Sequence, residues 1–448
     1  MTLDLTPERT LSVHPQRTLI YGLGRSGIGV VRHLEWLGWS GAWFDRSENP
    51  LGANEAVQRG FARVTTLEPN DFDLVVAAPG VMYANPDLAF LRAHGLETIG
   101  EAELCYRTLP TPTIGVTGTA GKGSTTALIA HLLQSQGVNA LPGGNFDPPL
   151  LSVARQAEVV VTELSSFQLE RIASYRPRVA VITNIGVDHV TDHGSLEAYH
   201  AAKWMLVKNL RPADALVLPE NLPLGRETSA RTVRVPLTGP IVTLENTVLI
   251  EVSELPPHQH PMNARLAVMA TLLYLEGTGK QANLKALRQA MLDFPGVPGR
   301  FETVGVIAGT RFIEDSIATR TIAVQAALEN APAPIAWVLG GRDKGAELEP
   351  LMDVARRKVT VILRFGESGE MFSRPFAEAG IPVVDCSHAN GTQALEQAVR
   401  VGFERARGGS VVLAPLGTSF DQFKDYKARG QAFRDAVSRF KTELRETT

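Results

Sequence analysis

The sequence predicts an α/β protein of three domains, and three observations carry that prediction. Short apolar, β-branched runs alternate with helical patterns in three successive passages. Two passages open on a glycine-rich turn between a strand and a helix, and two proline-marked breaks, LPTPT (109–113) and FPGVPGR (294–300), separate the three. A chain of 448 residues, 44% of them hydrophobic, has room for several cores at about 100–200 residues per domain. The expected division is 1–108, 109–299 and 300–448.

In the first passage TLIY, GAWFD and LVVAAPG read as strands, and IGVVRHLEWLG and DLAFLRAHG as helices. This βαβ rhythm predicts a parallel, Rossmann-like sheet with helices on its faces. The second passage begins with TIGVTG as a strand and STTALIAHLLQSQG as the helix after it. It continues through VVVTELSS, VAVITNIG, a helical AYHAAKWMLVKNL and a β-rich stretch near 231–252, which predicts a P-loop domain on a parallel sheet. The third resumes the alternation with PIAWVLGG, VTVILRFG, IPVVD and SVVLAPLG, each followed by a helical pattern, and predicts a second Rossmann-like domain.

Composition narrows the function. The net charge of -3 arises from 44 basic and 47 acidic side chains interleaved along the chain, which argues against a nucleic-acid partner. Cys105 and Cys386 are too few for a disulfide framework and too far apart for a Cys-x-x-Cys pair. The N-terminal stretch MTLDLTPERTLSVHPQR has no apolar targeting core, and no later run approaches the ~20 residues of a membrane helix. A cytoplasmic protein without membrane insertion is expected.

The turn GLGRSG sets Gly22, Gly24 and Gly27 in G-x-G-x-x-G spacing, and Asp45 ends the next strand. Read alone, this is the fingerprint of an NAD-dependent oxidoreductase. Its physics is less specific, because glycines that let backbone amides approach a helix N-terminus serve any nucleotide diphosphate.

The segment GVTGTAGKGSTT (115–126) is the stronger signal. Amides of Gly118, Thr119, Ala120, Gly121, Lys122 and Gly123 can turn inward on ATP phosphates, the Lys122 ammonium can reach them, and Ser124 or Thr125 can offer a hydroxyl to Mg²⁺. It departs from a strict Walker A pattern at Val116 and Gly123. In VVVTELSSFQLE an apolar strand delivers Glu163 at its C-terminal end, where a carboxylate could hold Mg²⁺. TNIGVDHVTDHGS gathers Asp188, His189, Asp192 and His193, a set that reads equally as metal ligands or as a solvated loop. Periodicity makes Lys203 an ordinary surface lysine.

Taken in order, ELSSFQLE (163–170), GGN (143–145), DH (188–189), YHAAK (199–203), PGRFE (298–302), DSIAT (315–319), GGRDK (340–344) and TSFDQFKDYKARG (418–430) resemble the signatures of the Mur ligases through nearly the whole chain. The likeness is strongest to members that add D-glutamate to UDP-N-acetylmuramoyl-L-alanine with ATP and Mg²⁺ in peptidoglycan precursor synthesis. The resemblance implies that Gly24, Arg25, Ser26, Asp45, Arg46, Pro79 and Gly80 contact uridine diphosphate, and that Asn145 contacts the muramoyl group. It gives ATP to the 118–125 loop with Asn263, Arg300 and Asp315. Ser124, Glu163, His189 and a CO₂-carbamylated Lys203 support the metal, with Lys122, Lys203 and His189 catalytic. Thr319, Lys344, Ser419 and Tyr426 receive D-glutamate, and the enzyme works as a monomer.

Three departures accompany the likeness. Ile317 stands where the family places a lysine, so that either Arg320 or another base compensates or activity is altered; GKGS replaces GKS or GKT and is similar to folylpolyglutamate synthases; and HQHPMNA (258–264) carries over only Asn263. A related ligase with another acceptor or L-glutamate, and a non-catalytic nucleotide-binding regulator, are the readings these departures favour.

Overall fold

A computed structural model describes residues 16–145, 147–256 and 258–446. The N-terminal stretch read above for targeting falls, up to residue 15, outside the described residues. The chain forms two compact units that divide between Phe294 and Pro295, inside the glycine- and proline-rich break.

The first unit carries two parallel sheets. One orders its strands Ala62–Arg63, Gly41–Phe44, Thr18–Tyr21, Leu74–Ala77 and Glu97–Ile99. Its central strands, TLIY and LVVA, are buried on both faces, which is why they read as unbroken apolar runs. The other orders Arg231–Val235, Ala215–Pro219, Val179–Ile182, Thr113–Thr117, Val159–Glu163 and Ala140–Gly144. The rest of the expected β-rich stretch is a small antiparallel pair, Ile241–Val242 with Val248–Ile250.

One hydrophobic core runs through both sheets, from Ile20, Val30 and Leu34 to Leu150, Leu169, Tyr175 and Leu216. The expected boundary after residue 108 therefore lies within a single packed unit. The helix Glu101–Thr108 fastens this joint with two buried carboxylates. Glu101 accepts from the Leu151 amide and the Ser26 hydroxyl. Glu103 accepts from the amides of Ala173, Ser174 and Tyr175, so the turn that follows SSFQLER is anchored on it.

The second unit is a six-stranded sheet in the order Glu302–Ile307, Thr310–Glu314, Ser410–Leu416, Ile335–Gly340, Val359–Phe365 and Val383–Asp385. The first pair is an antiparallel hairpin, and the remaining pairs are parallel. Helices pack on both faces over two apolar layers, one around Phe312, Leu363 and Phe433 and the other around Trp337, Leu339 and Phe372. Among the described residues no helix is long and apolar enough to cross a membrane.

Candidate functional site

At the first glycine turn the three glycines do different work. Gly22 sits at φ +96, and a Cβ there would stand 2.8 Å from Ala78 Cβ. A Cβ on Gly27 would stand 2.3 Å from the Gly22 carbonyl oxygen, so this glycine lets the helix Arg25–Leu37 close on the turn. Nothing lies within 4 Å of the Cβ position of Gly24, the residue that caps that helix. That open position, at a helix N-terminus, is where a phosphate would approach. Asp45 holds the turn through its Oδ2, which accepts the Leu23 amide at 2.7 Å. The turn Ala78–Val81 flanks it, with the Ala78 amide donating to the Tyr21 carbonyl. Arg25 pairs with Asp147 at 3.0 Å and Arg46 lies 3.9 Å from Asp87, all four partly or largely exposed, while Gly80 is exposed and Pro79 half-buried.

The second glycine turn joins the strand Thr113–Thr117 to the helix Lys122–Ser135. Gly118 at φ +150 and Gly121 at φ +80 make it possible: a Cβ at 118 would overlap Thr183 Oγ1, and one at 121 would press on Asn263 Oδ1 at 2.6 Å. Asn263, in the first turn of the helix Pro261–Gly277, is thereby placed against the loop. Helix bonding starts only with the Thr125 amide donating to Gly121, so the preceding turn has no intrahelical acceptors for its N–H groups.

Two of the amides expected to face phosphate are engaged otherwise. Thr119 and Ala120 donate to Asn184 Oδ1, at 3.2 and 2.9 Å, and Asn184 Nδ2 returns a bond to the Ala120 carbonyl. These bonds shape the loop: the Asn184 side chain holds both amides, and its backbone carbonyl also accepts from the Thr119 amide at 3.1 Å. Thr183 and Tyr199 complete the brace through the Ala120 carbonyl and Thr119 Oγ1. Sequence reading passed over Asn184, Thr183 and Tyr199. The signal was an asparagine just past the apolar strand Val179–Ile182, close to the strand-end position that Glu163 occupies in its own.

Lys122 Nζ folds back on the carbonyls of Gly118 and Thr119, at 2.9 and 3.0 Å. Lys203 is the main correction in this unit. Far from being a surface lysine, it is 2% exposed; its Nζ donates to Gly118 O at 2.7 Å and lies 4.6 Å from the Tyr199 ring centroid. Burial, with the Lys122 charge adding to it and Glu163 opposing it, pushes its pKa down to about 6. A lysine held neutral at pH 7 is nucleophilic.

Glu163 is buried at its strand end, where Oε1 accepts from Asn145 Nδ2 at 3.0 Å and Oε2 has no hydrogen-bond partner. A buried carboxylate oxygen left without a donor suits a hard cation. His189 adopts a left-handed backbone, φ 49, and its Nδ1 is oriented by Asp192 at 2.6 Å. His193, the other histidine of the cluster, is consumed by Glu170 and Ser166. Ser124 is half-buried, and Thr125 is buried with its Oγ1 unpartnered. Among the described residues no three His, Cys, Asp or Glu side chains are gathered to hold a metal.

In the second unit three loops converge at the C-terminal ends of adjacent strands, the place where open parallel sheets bind ligands. They are 315–319, 340–344 and 417–420. Arg342 and Thr418 exchange backbone bonds at 2.9 and 2.8 Å, and the Leu416 amide, at the strained φ of 64, donates to the Ala318 carbonyl. Arg429, fully buried, donates to the carbonyls of Gly417 at 3.0 Å and Ser316 at 2.8 Å. No role was read for it in the sequence, because a helical arginine is ordinarily solvated. Around this junction Ser419 is buried, Thr319, Ile317 and Tyr426 are half-buried, and Lys344 is exposed. Burial, opposed by Arg300 and assisted by Glu314, pushes the Asp315 carboxyl up to about 7.

Three family models match the chain in order: a Mur ligase MurD-like N-terminal domain over residues 16–100, a Mur ligase middle domain over 116–240, and a Mur ligase glutamate ligase domain over 299–415. The chain is 48% identical to a UDP-N-acetylmuramoylalanine–D-glutamate ligase of Deinococcus radiodurans, over 94% of this chain and 92% of the relative. It is likewise 48% identical to a ligase of that name from Thermus thermophilus, over 94% and 96%. Among solved structures, the UDP-N-acetylmuramate–alanine ligase of Thermotoga maritima shares the fold at a TM-score of 0.54 and 19% identity, covering 96% of this chain and all 100% of its own. The MurF ligase of the same organism, in complex with ADP, does so at 0.52 and 17%, covering 89% and 92%.

Proposed function

The chain belongs to the Mur ligase family, and on that premise we propose that it joins D-glutamate to UDP-N-acetylmuramoyl-L-alanine at the expense of ATP. The observation that carries the reading is 48% identity to ligases of that name over nearly the full length, together with a phosphate loop flanked by a buried, neutral lysine.

A carboxylate is a poor acyl donor. Its oxygen takes the γ-phosphoryl group of ATP, releasing ADP and leaving an acyl phosphate. The neutral amine of D-glutamate then attacks the acyl carbon, the C–O bond to phosphate breaks, and inorganic phosphate and a proton depart. Positioning and electrostatics supply most of the rate in such transfers. Lys122 exchanges its carbonyl partners for phosphate oxygens, and the first turn of its helix offers its amides to them. Asn184, Thr183 and Tyr199 keep the loop in shape, and Asn263 lies against it.

Mg²⁺ fits the residues present: Glu163 with its partnerless oxygen, His189, and the hydroxyl of Ser124 or Thr125 would hold it, and when bound it offsets phosphate charge. The neutral Lys203 amine attacks CO₂ and loses a proton, giving a carbamate that turns a buried amine into a carboxylate. In the first unit Gly24, Arg25, Ser26, Asp45, Arg46, Pro79 and Gly80 serve the uridine diphosphate, and Asn145 the muramoyl group. In the second, Arg300 and Asp315 are the nucleotide contacts, and Thr319, Lys344, Ser419 and Tyr426 those of D-glutamate. The functional division is 1–108, 109–299 and 300–448, and the enzyme acts as a cytoplasmic monomer.

The test is phosphate release by the purified protein with ATP, Mg²⁺ and UDP-N-acetylmuramoyl-L-alanine, comparing D-glutamate, L-glutamate and no amino acid, with the product mass determined. Amide product with D-glutamate alone is the expected result. Preference for L-glutamate would move the reading to a related ligase, with Gly123 and Ile317 the first residues to examine.

A further inference from the structure

Arg171 follows the ELSSFQLE segment, eight residues after Glu163, and is 2% exposed. It belongs to the stretch that leaves the capped helical turn Ser166–Leu169, yet its guanidinium reaches across to the opposite sheet of the same unit. There Nη1 donates to the Ala78 carbonyl at 3.5 Å and Nη2 to the Val81 carbonyl. Its Nε is buried without a partner, and Glu170, the carboxylate that acts on its charge, is itself paired with His193. Burying a cation against two carbonyls, with a third donor unsatisfied, is an expensive way to secure a fold.

The turn it grips is the one that flanks the glycine turn. Ala78 donates its amide to the Tyr21 carbonyl, and Ala78 and Val81 are the side chains that bound the Gly22 position, at 2.8 and 3.5 Å from where a Cβ would lie. A second guanidinium, Arg92, braces the same turn further along, donating to the Tyr83 carbonyl at 2.8 Å and covering the Tyr83 ring at 4.2 Å. Burial, opposed by the neighbouring Glu170 carboxylate and assisted by the like charge of Arg92, lowers the Arg171 pKa to about 10, so it remains a cation at pH 7.

We propose that Arg171 is a positioning residue for the nucleotide substrate: it fixes the 78–81 turn against the glycine turn and ties that edge of the uridine diphosphate site to the segment that carries Glu163. The inference rests on the reading of that site as a uridine-nucleotide site. A guanidinium has the two parallel donors that two carbonyls of one turn require, and an ammonium can satisfy them only in part.

The experiment measures UDP binding by calorimetry and steady-state kinetics of the full chain for wild type, Arg171→Met and Arg171→Lys. Loss of two charge-assisted bonds predicts about tenfold weaker UDP binding and about tenfold higher KM for the UDP-linked substrate in Arg171→Met. The KM for ATP and kcat should stay within about twofold, and Arg171→Lys should recover part of the loss. Unchanged UDP affinity in either folded variant would overturn the proposal, as would an equal rise in the KM for ATP, the mark of a general structural defect. Failure of wild type itself to bind UDP would instead remove the uridine-nucleotide reading, and this inference with it.

Discussion

Lys203 Nζ donates to the Gly118 carbonyl at 2.7 Å, so the buried amine and the first glycine of the phosphate loop share one hydrogen bond. Lys122 Nζ donates to the same carbonyl at 2.9 Å. Two amines thus converge on a single oxygen, and the inner of the two is the one that burial holds neutral.

Lys203→Met should leave the fold intact and reduce turnover on the order of 10²-fold or more, while UDP binding stays near wild type. The sign of the pH effect follows from the depressed pKa. Between about 6 in the folded chain and 10.5 in the unfolded one, the unfolded state holds a proton that the folded state lacks. Stability contributed at this position therefore rises with pH across that window, and Lys203→Met should flatten the rise. Chemical denaturation at pH 7 and pH 9 measures it; an identical pH slope in the two proteins would contradict the buried neutral amine.

The Asn184 side chain makes three hydrogen bonds to the phosphate loop, two accepted and one donated, and its backbone carbonyl accepts a fourth from the Thr119 amide. Asn184→Ala frees the Ala120 amide, leaves the Thr119 amide on the backbone carbonyl of residue 184 alone and lets the loop relax, so the KM for ATP should rise about tenfold or more, at roughly 1–3 kcal/mol. Asn184→Asp keeps the acceptor, loses the donor and adds a negative charge beside the phosphates. It should bind ATP more weakly than the alanine variant although it retains more of the brace. An ATP KM unchanged in both would show that the brace does not govern the loop.

In the second unit the corresponding tie is Arg429, which joins the loops at Ser316 and Gly417. Burial lowers its pKa to about 10, so it is charged at pH 7 and its loss strands two buried carbonyls. Arg429→Met should destabilise this unit by about 2–3 kcal/mol and raise the KM for D-glutamate. Arg429→Lys should restore part of both, since an ammonium keeps the charge and donors but lacks the planar fork that spans the two carbonyls. A normal D-glutamate KM in the methionine variant, with the protein folded, would detach the loop junction from amino-acid binding.

The sheets were legible because both faces of their strands are buried, which leaves runs such as TLIY and VVVTE with little polar interruption. Glu163 was legible for the same reason: a carboxylate ending such a run has a fixed address at the sheet's C-terminal edge. Lys203 was not, because its burial comes from the phosphate loop closing over its helix, a contact with a segment 85 residues away that no local periodicity encodes. The brace on Thr119 and Ala120 was hidden for a related reason. Their amides have the right positions for phosphate, but Asn184, more than sixty residues away in the chain, competes for them. The single core across residue 108 was hidden as well, since a proline-marked linker looks the same whether its flanking sheets pack together or apart.

The first glycine turn separates folding from binding within one motif. An alanine at position 27 would drive its Cβ to 2.3 Å from the Gly22 carbonyl oxygen, a backbone atom that cannot step aside. Gly27→Ala should therefore cost about 1–3 kcal/mol of stability, read as a lowered denaturation midpoint. An alanine at position 24 meets nothing within 4 Å, and the φ of -78 at that residue is open to any side chain. Gly24→Ala should cost no more than about 1 kcal/mol, the difference between glycine and alanine at an N-cap, yet its methyl occupies the space a phosphate oxygen needs against the helix N-terminus. UDP affinity should fall about tenfold or more, equivalent to roughly 1.4 kcal/mol. Uridine, which lacks the phosphates, should bind both Gly24→Ala and wild type alike. If Gly24→Ala bound UDP as wild type does, the diphosphate would have to lie elsewhere than at the open glycine.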